Sequence, residues 1–250
     1  MTRTFIIHPH YQKLLHFICS LPVNFLDQGE YIHDGRNKIK MFDVDGLKIN
    51  VKRYRIPLLF NRFIYVYLRQ PKAVRAYDYA LKLLEAGVNT PAPIAYILER
   101  KNGLLGFSYF LSVQVPYSRR FYEFGNSPMD EEHRMILEAF GHYTATLHNK
   151  EIYHQDYSPG NILFDVMDGK PEFCLVDINR MEFGPVSMKK GCLNFARLWG
   201  PLQMFRIIAK AYAQTRGFNE EETCREILQA RERYWRKISR KRKPEFPLEF

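Results

Sequence analysis

The chain has 250 residues, a formal net charge of +10, and is 46% hydrophobic and 15% aromatic. That length allows one large domain or two modest lobes, and the composition excludes a polar, aromatic-poor disordered chain. No stretch approaches the roughly 18–20 apolar residues that cross a bilayer, and His8, Pro9, His10 and Lys13 interrupt any secretory signal. The expectation is a chain that is soluble, or attached to a membrane only at its surface. Cys19, Cys174, Cys192 and Cys224 are widely spaced with no metal-type pairing. The apolar neighbours of Cys19 and Cys174 predict buried, reduced thiols, which suits a cytoplasmic location.

The positive charge is uneven. Residues 48–75 carry Lys48, Lys52, Arg53, Arg55, Arg62, Arg69, Lys72 and Arg75 without one acidic residue, and residues 231–243 carry eight basic residues broken only by Glu232. Such fields attract polyanions: nucleotide, nucleic acid, phosphorylated glycan or an anionic membrane face. A lone basic run is more often a solvated face. The first run here surrounds a candidate phosphate-binding lysine.

In chain order, Tyr11, Leu14, Leu15 and Ile18 after Pro9 predict a short amphipathic helix that stops before Pro22, within an N-terminal extension of residues 1–25. Asp45-Gly46 is a hairpin signal and places Lys52 on a strand over residues 49–54, with Asn50, Lys52 and Tyr54 on one face. Residues 71–85 read as a helix with Val74, Tyr77, Leu81 and Leu84 on one face at three- and four-residue spacing and Gly87 as its stop. Strands follow over residues 94–98 and 109–115, and a hinge near 113–116 separates an N-lobe (26–115) from a C-lobe (116–250). Ser127, Pro128 and Asp130 predict the start of a long helix that buries Met135, Ile136, Ala139, Phe140, Tyr143 and Leu147. A short strand over residues 173–176 enters Asp177, and the pattern beyond Gly191 is helical to about residue 238. Strands first and helices after imply an α+β chain, with an antiparallel-sheet N-lobe and a mainly helical C-lobe.

Phosphoryl transfer asks little covalent work of a protein. It needs metal to neutralise the phosphates, a lysine to hold them and a carboxylate at the attacking hydroxyl. His154, Asp156 and Asn161 stand at H-x-D-x-x-x-x-N spacing, and Asp177 closes the next short strand. In that pattern Asp156 is the base, Asn161 and Asp177 hold Mg2+ through oxygen, and Lys52 grips the phosphates of ATP. His154 reads as a brace of the loop. Asp78, on the helix after the lysine strand, is assigned as the carboxylate that aims Lys52, over the rival Glu85 two turns later. Asp and Asn also cap ordinary turns, and a strand lysine is often merely exposed. The complete set in this order is what separates the two readings.

At these residues the chain resembles the lipopolysaccharide kinase family (Kdo/WaaP type), a branch of the protein-kinase-like superfamily. The similar stretches are Gly35-Arg36-Asn37, Val51-Lys52, Arg75-Ala76-Tyr77, Thr90-Pro91-Ala92-Pro93-Ile94-Ala95-Tyr96, the loop around His154, Asp156 and Asn161, and Asp177-Ile178-Asn179-Arg180-Met181. The resemblance implies a bilobal protein-kinase-like fold. It implies ATP- and Mg2+-dependent phosphorylation of heptose or Kdo in the lipopolysaccharide inner core, a lipid-linked glycan, at the cytoplasmic side of the inner membrane. An anionic membrane surface is the accessory partner expected with it.

Several positions depart from protein kinases. Gln155 stands where many carry an arginine that reads a phosphorylated activation loop, and Ser158 replaces a lysine, a feature shared with RIO-type kinases. Asp177-Ile178-Asn179 replaces Asp-Phe-Gly. Residues 35–46 hold no G-x-G-x-x-G, so Arg36 or Asn37 would supply side-chain donors instead. Asp78 is one methylene shorter than the usual glutamate. Three other readings compete: a pseudokinase binding module, a RIO-like protein kinase and an antibiotic phosphotransferase. The first wants a missing catalytic residue, and none of the set is missing. The second wants basic patches interleaved with aromatics, which only Tyr234-Trp235 offers, so nucleic acid is disfavoured. The third wants an acidic pocket, against the basic excess.

Overall fold

The structure, a computed structural model, describes residues 1–58, 62, 69–241 and 243–250. It divides into two units, Met1–Pro116 and Tyr117–Phe250.

The first unit is built on one antiparallel sheet. Its strands are β1 (Thr2–Ile7), β2 (Glu30–Asp34), β3 (Lys38–Val44), β4 (Leu47–Tyr54), β5 (Pro93–Lys101) and β6 (Leu104–Val113), in the order β1-β5-β6-β4-β3-β2. Asp45 and Gly46 both have positive φ, 52° and 79°, the requirement of the two-residue turn that matches strand twist. Asn102-Gly103 does the same between β5 and β6, with φ of 53° and 77°. That second turn starts β6 at Leu104, five residues earlier than the alternation suggests.

The N-terminal segment is not purely a helical extension. β1 pairs along β5 from Thr2↔Arg100 to Ile7↔Ala95, forming a sheet edge. Helix α1 (Leu15–Asn24) contains Pro22 rather than stopping before it; in the last turn a proline forfeits only one helical bond. Leu14, Ile18, Leu21 and Phe25 are buried with Ile49 and Val51 of β4 and Ile97, Tyr109 and Leu111 in one core. Strand alternation therefore turns Asn50, Lys52 and Tyr54 to the opposite face of β4.

Helix α2 (Lys72–Glu85) divides the four-residue stripe: Tyr77 is buried and Val74 half-buried, but the two leucines are exposed. Ala73, Ala76, Tyr77, Ala80 and Leu83 are buried, while Leu81 and Leu84 are 36% and 40% exposed. Small alanines let the helix lie close against β5 and β6, and Tyr77 packs edge-on to Tyr96. The helix ends at Gly87, where Val88 N donates to Leu83 O and Gly87 N to Leu84 O, the paired bonds of a glycine C-terminal cap. The basic run of this unit is partly structural: the Arg53 guanidinium lies over the rings of Phe25 and Phe107, Arg62 Nε donates to Leu105 O, and Arg75 is buried. Lys48, Arg55 and Arg69 are its exposed members.

In the second unit, β7 (Arg119–Arg120), β9 (Ile162–Met167) and β10 (Lys170–Leu175) form one small sheet, and β8 (Ile152–His154) pairs with β11 (Met181–Phe183). The rest is mainly helical: α3 (Glu131–Asn149), α4 (Met188–Asn194), α5 (Leu202–Arg216) and α6 (Glu220–Ser239). Helix α3 packs on α5. It starts after Asp130, whose carboxylate accepts from His133 N at 2.8 Å, so Ser127 and Pro128 precede the helix instead of opening it. Met135 is exposed, and Leu137, Thr144, Ala145 and His148 complete the buried face. Phe121, Phe124, Phe140, Phe164 and Phe173 form an aromatic core, with the Phe121 and Phe140 ring centroids 4.1 Å apart.

The second basic run is interrupted by structure. Arg231 is only 1% exposed and donates to Gly200 O at 3.0 Å and to Glu249 O at 2.5 Å. Trp235 is buried beside it, against Phe246. Arg233, Arg236, Lys237, Arg240, Lys241 and Lys243 remain exposed. All four cysteines are free; Cys19 is exposed, contrary to its apolar neighbours, while burial pushes the thiols of Cys174 and Cys192 up to about 12. Among the described residues no helix is long and apolar enough to cross a membrane.

Candidate active site

The loop that carries Asp156 hangs between two strand pairs. Before it, β8 pairs with β11 (Met181↔His154), and Gln155 N donates to Arg180 O at 2.9 Å. After it, β9 pairs with β10 (Leu175↔Ile162), and Val176 N donates to Asn161 O at 3.0 Å. The sequence from His154 to Asn161 is thereby held at both ends by the segment that presents Asp177.

Side chains complete the frame. His154 is buried; Asp156 N donates to its Nδ1 at 3.1 Å, so the ring proton sits on Nε2 and is donated to Val176 O at 3.2 Å. Burial lowers the His154 pKa, and both ring nitrogens are satisfied by the neutral form. The expected brace is a brace in fact. Asn161 Nδ2 donates to Asp156 O at 2.8 Å, the same carbonyl that receives Ser158 N. This fixes the amide and turns Asn161 Oδ1 away from that carbonyl. Gly160 fits because a Cβ there would stand 2.9 Å from the Tyr122 hydroxyl oxygen.

Asp177 adopts a left-handed backbone, φ 54° and ψ 41°, a conformation aspartate tolerates better than most residues but still at a cost. Asn179 Nδ2 donates to Asp177 Oδ1, and Asn179 Oδ1 is buried with no hydrogen-bond partner. Asn161 and Asp177, with this orphaned amide oxygen beside them, are hard oxygen donors of the kind Mg2+ takes. Among the described residues no cluster of three or more His, Cys, Asp or Glu side chains is placed to hold a metal; the fit rests on the carboxylate and amide oxygens just named.

Two arginines flank the Asp156 carboxylate. Arg197 Nη1 pairs with Oδ1, and Arg180 Nη1 lies 3.8 Å from Oδ2. Sequence reasoning assigned neither. Arg180 sits in the quoted Asp177 motif, three residues past the aspartate, whereas Arg197 reaches the loop only through the tertiary fold. Asn194, one turn before Arg197, donates from Nδ2 to His154 O at 2.9 Å. Its Oδ1 accepts from His148 Nε2 at 3.0 Å, and His148 Nδ1 accepts from the Tyr212 hydroxyl at 2.8 Å. Burial of this network pushes His148 down to about 4.

In the first unit, Lys52 lies on β4 between β3 and β6, opposite Ile39 and Phe110. Its Nζ is 5.5 Å from the centroid of the Tyr54 ring. Asp78, on α2, sits beside Tyr77, Tyr96 and Lys82, with burial raising its pKa and Lys82 opposing the rise. Glu85 is exposed. Asn37 Oδ1 accepts from Arg55 N at 3.4 Å, so that side chain is engaged with backbone.

The sequence profile described as "Lipopolysaccharide kinase (Kdo/WaaP) family" matches residues 25–199. A 3-deoxy-D-manno-octulosonic acid kinase of Vibrio parahaemolyticus serotype O3:K6 (strain RIMD 2210633) is 27% identical over 140 residues, which cover 54% of this chain and 57% of the relative. The match thus spans little more than half of that protein. A solved structure described as "WaaP in complex with acyl carrier protein" is similar with a TM-score of 0.64 at 15% identity, over 95% of this chain and 98% of that one, which shows a shared fold.

Proposed function

Because the chain belongs to the lipopolysaccharide kinase (Kdo/WaaP) family across residues 25–199, we propose that it is an ATP-dependent kinase that phosphorylates a sugar hydroxyl, on heptose or Kdo, of the lipopolysaccharide inner core. The observation that carries this reading is the hydrogen-bonded frame that holds Asp156, Asn161 and Asp177 through His154 and Val176. Asp156 orients the acceptor hydroxyl and takes its proton as the new O–P bond forms and the bond to ADP breaks. Lys52 holds nucleotide phosphate oxygens, and Asp78 is its partner in the nucleotide-bound state. Asn161 and Asp177 would hold Mg2+, which when bound neutralises charge on the phosphate oxygens.

The lipid-linked acceptor also accounts for the exposed cations Arg233, Arg236, Lys237, Arg240, Lys241 and Lys243. Each basic residue near an anionic leaflet contributes about 1 kcal/mol of attraction. The relative solved with acyl carrier protein raises a protein partner for this family, and a pull-down with acyl carrier protein tests it for this chain. A pseudokinase role is disfavoured because Lys52, Asp156, Asn161 and Asp177 are all present.

The test is transfer of label from γ-labelled Mg-ATP by the purified full chain to lipid-linked acceptors that end in Kdo or in heptose. Label in the glycolipid supports the reading and names the sugar. Label found only in protein would favour the RIO-like alternative, and no labelled glycolipid with either acceptor would refute the assignment.

A further inference from the structure

We propose that Arg197 is a positioning residue of the transfer centre: it ties down Oδ1 of Asp156, so that Oδ2 is the oxygen presented to the acceptor hydroxyl. This rests on Asp156 being the base.

A carboxylate on a free side chain offers two equivalent oxygens and rotates between them. Here the two are unequal. Arg197 Nη1 is within hydrogen-bonding distance of Oδ1, a charge-assisted contact, whereas the cation beside Oδ2, Arg180, stands off at 3.8 Å, beyond hydrogen-bond length. A bond on one oxygen fixes the plane of the carboxylate and leaves the other oxygen's lone pairs for a hydroxyl.

The anchor is itself fixed to the loop it serves. Arg197 ends the single 3-10 turn Phe195–Arg197, which follows directly on Asn194, and Asn194 donates to His154 O. One turn of chain therefore grips the loop twice, by backbone at His154 and by side chain at Asp156. Phe195, between them, is fully buried. The guanidinium carbon of Arg197 also lies 6.0 Å from the Tyr234 ring of α6. Its Nε is buried with no hydrogen-bond partner. An orphaned donor is a costly placement that packing alone does not require; the pair with Asp156 is the interaction that offsets it. A lysine could supply charge here but not a planar fork of fixed direction.

The experiment is a double-mutant cycle in the full-length protein, with kcat and the KM for ATP measured for Arg197→Ala, Asp156→Asn and the combination. Misplacing a reacting group by about 1 Å costs on the order of 100-fold in rate, so Arg197→Ala should lower kcat by 10- to 100-fold while the KM for ATP stays within about twofold. In the Asp156→Asn background the same change should cost almost nothing, because residues that act as a unit are not additive. Equal losses of kcat in both backgrounds would overturn the proposal, as would unchanged kcat in the single variant. Near-normal turnover of Asp156→Asn alone would remove the base assignment itself. Should Arg197→Ala fail to fold in a melting scan, Arg197→Gln, which keeps much of the stem, carries the same comparison.

Discussion

His154 donates from Nε2 to the carbonyl of Val176 at 3.2 Å, one residue before Asp177, while its Nδ1 receives the backbone N–H of Asp156 at 3.1 Å. One buried ring thus links the candidate base to the candidate metal-binding aspartate without touching substrate. His154→Ala leaves a buried carbonyl and an amide N–H unpaired, a loss of about 1–3 kcal/mol. The expected result in urea unfolding is a lower midpoint with an unchanged slope, together with a fall in kcat larger than any change in the KM for ATP. Wild-type stability and turnover would show that the brace does not matter.

The neighbouring network gives a pH dependence. Burial holds His148 at about 4 in the folded state against an ordinary value of 6.5, so the unfolded chain binds the proton first as pH falls. Stability from keeping this ring neutral is full above pH 6.5 and is lost progressively as pH drops towards 4, by up to about 3 kcal/mol. Unfolding midpoints measured from pH 7 to pH 4 should fall for the wild type. His148→Gln should be less stable at pH 7 and flatter across the same range. Parallel curves for the two proteins would assign the acid sensitivity to other groups.

Lys52 and its partner are separable by kinetics. Lys52→Ala should raise the KM for ATP strongly. Asp78→Ala should lower kcat/KM by about tenfold or more, since a lysine on a flexible stem needs a carboxylate to aim it. Glu85 faces solvent, and Glu85→Ala should stay within about twofold of wild type. A large loss for Glu85→Ala with Asp78→Ala unaffected would reverse the assignment.

The exposed and buried members of the last basic run should behave differently. Replacing Arg240, Lys241 and Lys243 by Glu should weaken sedimentation with anionic vesicles and reduce its salt dependence without changing the melting temperature. Arg231→Ala should instead lower the melting temperature, because Gly200 O and Glu249 O lose their donor. Undiminished vesicle binding by the triple variant would leave these charges as a solvated face.

The features legible in the sequence were local ones. Asp45-Gly46 specified its turn, and the spacing of His154, Asp156 and Asn161 specified the bonds inside the loop, His154 to Asp156 N and Asn161 to Asp156 O, because these depend on residues close in the chain. Asn102-Gly103 and Asp168-Gly169 carried the same turn signal, and reading them would have set the starts of β6 and β10. The buried face of α2 was not legible from leucine periodicity, since close approach to β5 and β6 selected the alanines. The burial of Arg231 was set by Gly200 and Glu249, distant in the chain, as was the Arg197 contact with Asp156, which spans 41 residues.

The central claim is that Asp156 serves phosphorylation of the lipopolysaccharide core, and mass spectrometry of that core tests it most directly. Core from cells producing the wild-type chain should carry a phosphate that is missing both from cells lacking the protein and from cells producing Asp156→Asn at equal abundance. A core of the same mass in all three would contradict the function, and a fully phosphorylated core with Asp156→Asn alone would contradict the base.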